Sequence, residues 1–265
     1  MVLYFLSALA YLIYTSFKKS QGALFASIIL FIGFIIHTAG IVVRWIETYR
    51  TGYGYVPLSN MYESLVFFSW CIVLFYLIME RKFKQKKLGV LVTPLAFLSL
   101  ALTSIIPGVK ENISPLIPAL QSDWLTIHVI TCFLGYSAFA ISFGISILYL
   151  IQEKKGAERF QSLPSLSILD EINYKVIITG FPLLSLGIIT GAAWAKYAWG
   201  TYWSWDPKET WSLITWLIYA AILHARYTYN WKGKKSAIFS IIGFAAVLFT
   251  YFGVNYLIVG LHSYV

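Results

Sequence analysis

The thirteen residues from Trp199 to Trp211, Trp-Gly-Thr-Tyr-Trp-Ser-Trp-Asp-Pro-Lys-Glu-Thr-Trp, gather groups suited to holding a flat ligand. Together with Trp216 they place five of the chain's ten tryptophans within eighteen residues. An indole offers a wide, rigid, apolar face with one polar N–H at its rim, so Trp199, Trp203, Trp205 and Trp211 read as a platform for a large planar molecule. Lys196 and Lys208 stand at its edges, where an ammonium can pair with that molecule's carboxylates. A porphyrin fits this description, and so does a quinone. Structural roles compete: tryptophan also forms interfacial belts in membrane proteins. Asp206-Pro207-Lys208-Glu209 combines an N-cap, a proline at the first helical position and a glutamate at the third, which is a capping box. Capping is the direct role expected of Asp206, whereas the indole density exceeds what a belt requires.

The chain has four histidines, His37, His128, His224 and His262, and two cysteines, Cys71 and Cys132. Neutral imidazoles ligate haem iron, so the depth of each histidine matters. The cysteines share no CxxC spacing and read as small buried hydrophobes.

The elements that must position these groups follow from composition. Of 265 residues, 59% are hydrophobic and 12% charged, and the mean hydropathy is +0.73, which excludes a soluble domain. Long, continuously apolar runs favour spanning helices over barrel strands. Eight are predicted, at Val2–Phe17, Gly22–Ile46, Met61–Glu80, Leu88–Ile106, Trp124–Ile151, Lys175–Ala195, Pro207–Tyr229 and Ser236–Ile258, forming one all-α bundle. Residues 1–265 are read as a single polytopic membrane domain with the tryptophan-rich loop 196–211 inside it. The first segment lacks a basic n-region and a cleavage site, so it is kept as a helix of the mature protein. The connection Gln152–Tyr174 reads as an ordered amphipathic loop.

A formal charge of +9 invites a nucleic-acid partner, but the distribution argues otherwise. Fifteen of the twenty basic residues fall at odd-to-even connections, leaving Arg44, Arg50, Lys110, Lys196 and Lys208 for the opposite face. This is a positive-inside pattern that puts both termini and the tryptophan loop outside. His128 then lies one turn inside the outer end of the fifth helix, and His262 just beyond the eighth, at matched depth for bis-histidine ligation. His37 and His224 lie deeper, where an ionisable residue signals function. At 1.5 Å per residue they sit roughly 15 and 22 Å below the outer end, so either a tilted His37–His224 pair or a partner's ligand opposite His224 is admissible.

The segment 199–211, continuing through Leu223-His224-Ala225-Arg226, resembles the WWD signature of the CcsA/ResC family. His37-Thr-Ala-Gly with Arg44-Trp45, Ser59–Ser64, Pro118–Ser122 to His128, Asp170–Tyr174 to Gly180–Leu184, and Gly260–Tyr264 resemble it too, so the likeness spans nearly the whole chain. WWD also occurs in the haem-handling proteins of the other bacterial maturation system, but there the Asp-Pro-Lys-Glu-Thr-Trp continuation differs. The resemblance implies a subunit of a holocytochrome c synthetase in a bacterial inner membrane, or a thylakoid membrane if plastid-derived. It would act with a CcsB/ResB-type partner, carry haem b to the outer face and present it to the CxxCH motif of apocytochrome c. On that pattern His128 and His262 are the external axial ligands of haem iron and His224 a ligand within the membrane. Trp199, Trp203, Trp205, Asp206 and Trp211 line the haem, while His37 matches a family segment without an assigned ligand role. No residue looks like a nucleophile for thioether formation, so positioning and water exclusion are expected instead. Two rivals are a haem exporter and a quinone-binding redox subunit.

Overall fold

A computed structural model describes residues 1–17, 20–109, 111–156, 163–258 and 260. Its helices are α1 (Val2–Phe17), α2 (Ser20–Arg50), α3 (Met61–Phe83), α4 (Gly89–Ile105), α5 (Asp123–Lys155), α6 (Leu166–Trp199), α7 (Pro207–Tyr229) and α8 (Lys234–Leu248). A five-residue π turn, Phe249–Gly253, links α8 to the short α9 (Val254–Leu257). No strand occurs among the described residues.

This is an all-α membrane protein, but among the described residues six helices rather than eight meet the length and apolarity of a membrane span: α2, α3, α4, α5, α6 and the run Lys234–Leu257. Helix α1 is apolar but has only 16 residues. Helix α7 is long enough, but Thr, Trp, Tyr, His224 and Arg226 break up its apolar stretch. Another departure from the expected segments is α6, which begins at Leu166 rather than Lys175 and shortens the connection after α5. Its first turns carry polar residues that the tertiary structure satisfies. Asp170 accepts two hydrogen bonds from Arg226 Nη1 (2.7 and 2.9 Å) and one from Gly233 N (2.7 Å). Asn173 bridges Ser142 (2.6 Å) and Ser240 (3.2 Å) in the interior.

Helices α5 and α6 share the most extensive contact in the bundle. Small residues let the two backbones close: a methyl group on Gly180 would meet Ala138 Cβ at 2.7 Å, and one on Gly187 would meet Cys132 Sγ at 2.5 Å. Close approach through small residues is the usual basis of helix association in lipid, where no hydrophobic force separates helix from solvent. Helices α1, α2 and α3 meet around the Glu80 carboxylate, which accepts from Tyr11 (2.8 Å) and Ser27 (2.6 Å). Both cysteines are buried free thiols.

Candidate functional site

At one end of the bundle the starts of α3, α5 and α7, the last turns of α6, and the α8–α9 junction surround an open cavity of about 210 Å³. Its walls include His128, Cys132, Trp194, Trp203, Lys208 and Glu209. The π turn shapes one side, where Tyr251 and Ser64 share a hydrogen bond of 2.5 Å between α3 and the end of α8.

His128 is held rigidly. Its Nδ1 lies 2.7 Å from the Gly187 carbonyl, and because a carbonyl only accepts, Nδ1 carries the proton. The lone pair of the neutral ring therefore sits on Nε2, the tautomer required of an iron ligand. The ring stacks on Trp194 at a centroid distance of 6.0 Å and an interplanar angle of 18°. Gly191 permits this placement, since a methyl group there would meet His128 Nδ1 at 2.6 Å. Trp194 in turn donates its Nε1–H to Ala119 O (2.8 Å), fastening the loop before α5 onto α6. Tyr55 donates to Ser114 O (3.0 Å) in the same loop cluster, and burial, with Glu63 nearby, raises its pKa.

The tryptophan loop does not form one continuous platform. Trp203 faces the cavity, while Trp205 stands edge-on to it at 5.7 Å and is 69% exposed. Trp205 adopts a left-handed backbone, φ +60°, unusual for a bulky residue. Trp199 packs edge-on to Trp194 at 4.9 Å, Trp211 lies 4.1 Å from Phe249 in the π turn, and Trp216 donates to Ser185 (2.8 Å). The two lysines separate as well. Lys196 donates to Gly200 O (2.7 Å) and closes the end of α6, whereas Lys208 lines the cavity and donates to Asn255 (3.0 Å).

Asp206 caps α7, its carboxylate accepting from Lys208 N (2.9 Å), and the capping box with Glu209 is complete. Glu209 Oε2 accepts from Ser204 N (2.8 Å), Ser204 Oγ (3.2 Å) and Asp206 N (3.2 Å). Its Oε1 is buried with no hydrogen-bond partner among the described residues. The sequence shows Glu209 only as a cap. Gly187 and Gly191, four apart on one face of α6, were the readable sign of a close approach there.

Two of the remaining histidines, His37 and His224, lie apart from this cavity. His262 is outside the described residues; Gly260, the last described, sits against the cap, where a methyl group would meet Asp206 Oδ2 at 2.6 Å. His37 lines a second cavity between α1, α2 and α3, its Nδ1 bonded to Tyr4 (3.0 Å) near the Arg44–Glu63 ion pair (2.9 Å). His224 lies on the exposed face of α7, 6.1 Å from the Tyr229 ring. His37 and His224 thus belong to separate helix groups, and the structure does not bring them together.

The model of a family described as cytochrome C assembly protein matches residues 58–262. The chain is 44% identical over 231 residues to a cytochrome c biogenesis protein CcsA of Chlamydomonas reinhardtii, covering 84% of this chain and 64% of that relative. It is 40% identical over 271 residues to the CcsA of Microcystis aeruginosa, covering 83% and 81%. Among solved structures, a chain described as cytochrome c heme lyase CcmF superposes with a TM-score of 0.70 at 18% identity, covering 95% of this chain and 44% of the lyase. At that identity the likeness speaks for the fold alone.

Proposed function

Because this chain belongs to the cytochrome c assembly protein family, we propose that it is the haem-handling subunit of a cytochrome c synthetase and presents haem in the cavity beside the tryptophan loop. The observation that carries the reading is the fixed His128 ring. Its tautomer puts the lone pair on Nε2 at the wall of a cavity that also offers the Trp203 face and the Lys208 ammonium. His262 is the second external ligand, and Lys208, rather than Lys196, pairs with a haem carboxylate. In this reading residues 1–265 form one membrane domain in which α1 and α7 complete eight spans. The positive-inside pattern puts the cavity and both termini on the outer face of a bacterial inner membrane or a thylakoid membrane.

A CcsB/ResB-type partner completes the assembly, and haem b is both bound ligand and substrate for attachment to a CxxCH apocytochrome. His224, exposed on α7, serves haem in transit and takes its second ligand from the partner, since His37 lies in a separate helix group. The rival readings are a haem exporter and a quinone-binding redox subunit. Neither needs thioether formation, and the quinone subunit has no use for the His128–His262 pair.

Co-expression with and without the partner, in a host lacking its own maturation system, tests this. The wild-type complex is expected to hold haem and to yield covalent holocytochrome. His128→Ala should lose haem at the outer site and regain part of it on addition of imidazole. His224→Gly should deplete haem from the whole assembly. Wild-type haem spectra and maturation in both variants would overturn the ligand assignment.

A further inference from the structure

We propose that Glu209 is the proton acceptor that activates the cysteine thiol of the acceptor polypeptide, an assignment that rests on the synthetase reading above. Glu209 is 9% exposed and lines the cavity. Three donors from Ser204 and Asp206 fix one carboxylate oxygen, so the group cannot turn away. The other oxygen has no donor among the described residues. A shielded carboxylate oxygen is costly to leave unsatisfied, and it is retained here on the wall of the one cavity that also holds His128 and Lys208.

Charge decides what it can meet. Lys208 and Glu209 are neighbours in sequence on the first turn of α7, so the cavity carries a cation and an anion about 100° apart around one helix. A planar tetrapyrrole with carboxylates on one edge is drawn by those carboxylates towards Lys208 and repelled by Glu209. Its uncharged vinyl side is therefore the side left for Glu209, on the cavity wall where the incoming polypeptide brings its donor. The donor that the reaction must deprotonate is the thiol, since the thiolate is the nucleophile. In the step, the S–H proton passes to Glu209 Oε1 and the sulfur forms a C–S bond to the inner vinyl carbon. The terminal vinyl carbon takes its proton from the carboxyl group as the C–S bond forms, so the π pair becomes the new C–H bond and no free carbanion arises. Glu209 is regenerated, the addition is redox-neutral and no co-reactant is consumed.

Glu209→Gln separates this role from capping, because the amide oxygen can still accept from Ser204 and Asp206. The wild-type complex and the variant are purified with the partner, their haem quantified, and covalent attachment to a CxxCH reporter followed from pH 6 to 8.5. The expected result is unchanged haem content with attachment slowed by at least about 100-fold, the usual scale of general-base loss. The variant's rate should also climb roughly tenfold per pH unit towards the ordinary thiol pKa of about 8.5, a slope the wild type does not share. Wild-type attachment rates in Glu209→Gln would overturn the proposal, as would a loss of attachment that only parallels a loss of haem. If the wild-type complex itself holds haem but forms no thioether, the synthetase reading has failed, and the proposal with it.

Discussion

Helices α3 and α7 begin at the same end of the bundle with the same device, a serine and a glutamate bracketing the first turn, and they differ by one oxygen. In α3, Glu63 Oε2 accepts from Ser59 N and Ser59 Oγ at 2.8 Å each, Asn60 caps Glu63 N at 2.8 Å, and Arg44 Nε donates to Oε1 at 2.9 Å. In α7, Ser204 and Asp206 saturate Glu209 Oε2, and nothing described reaches Oε1. The first carboxylate is closed on both sides and belongs to the scaffold. The second is half closed beside the cavity, which fits a group reserved for a molecule that arrives. The same helix-start chemistry thus yields a strut in one place and a candidate reactive group in the other, and the neighbouring Arg44 makes the difference.

The largest effect should come from breaking the closed cap. Arg44→Leu leaves Glu63, 1% exposed, as a buried charge without its cation, and removal of one member of a buried pair costs about 3–5 kcal/mol. Accumulation in the membrane and the unfolding midpoint in detergent should both fall sharply. An added Glu63→Leu should recover most of the loss. An Arg44→Leu protein as stable as wild type would make the two caps equivalent and remove the contrast. By the same logic Glu209→Gln, which strands no partner, should barely move the midpoint.

Next in size is the support beneath His128. Gly191→Ala introduces a methyl group 2.6 Å from His128 Nδ1 and 2.7 Å from Cε1, so the ring must move off the Gly187 carbonyl. Overpacking of this kind costs about 1–3 kcal/mol, which, felt by the ligand, weakens haem retention by roughly tenfold or more. Gly40→Ala is the control, because nothing lies within 4 Å of a methyl group there. Equal haem retention in both variants would show that the ring is not held as the geometry indicates.

These sites show why part of the molecule was legible in the sequence and part was not. Helix existence was readable, because unbroken apolar runs of spanning length have few alternatives; the start of α7 was also readable, because Asp206 is a cap with a local signature, whereas the Asn60 cap of α3 emerged only with the structure. The early start of α6 was not, since Asp170 and Asn173 look like loop residues until Arg226, Ser142 and Ser240 meet them from other helices. Two of the eight expected spans fall short by length or polarity alone, α1 and α7. Within the site, the tryptophan loop and His128 could be singled out by type and spacing. Their division of labour could not: Trp203 faces the cavity, Trp211 packs on the π turn, and Lys208 rather than Lys196 lines the cavity. The idle oxygen of Glu209 is a property of three-dimensional hydrogen bonding and has no sequence signature.

A smaller effect separates capping from contact with the ligand. Asp206→Ala and Asn60→Ala each remove an N-cap acceptor, and each should cost about 1 kcal/mol. If Asp206 acts only as a cap, the two variants should match in stability and both should retain haem. Haem lost from Asp206→Ala but kept by Asn60→Ala, at equal unfolding midpoints, would mark the α7 cap as part of the binding surface.

The smallest effect on stability, and the sharpest difference between the two helix starts, concerns Trp205. One residue before the cap of α3, Ser59 is not left-handed, whereas at the equivalent place before α7 Trp205 is left-handed at φ +60°. A left-handed conformation costs a residue with a Cβ about 1–2 kcal/mol, and glycine is spared that cost. At 69% exposure Trp205 buries little that could offset the strain, apart from its edge contact with Trp203. Trp205→Gly should therefore leave the unfolding midpoint unchanged or raise it by about 2–4 °C, the shift expected for 1 kcal/mol in a chain of this size. Strain kept at an exposed aromatic is intelligible if the indole meets haem or the acceptor polypeptide, so the same variant should lose haem retention or attachment rate while gaining stability. A lower midpoint with unchanged haem and attachment would instead make Trp205 an ordinary packing residue of the interface, and the strained turn a feature of the scaffold like the closed cap of α3.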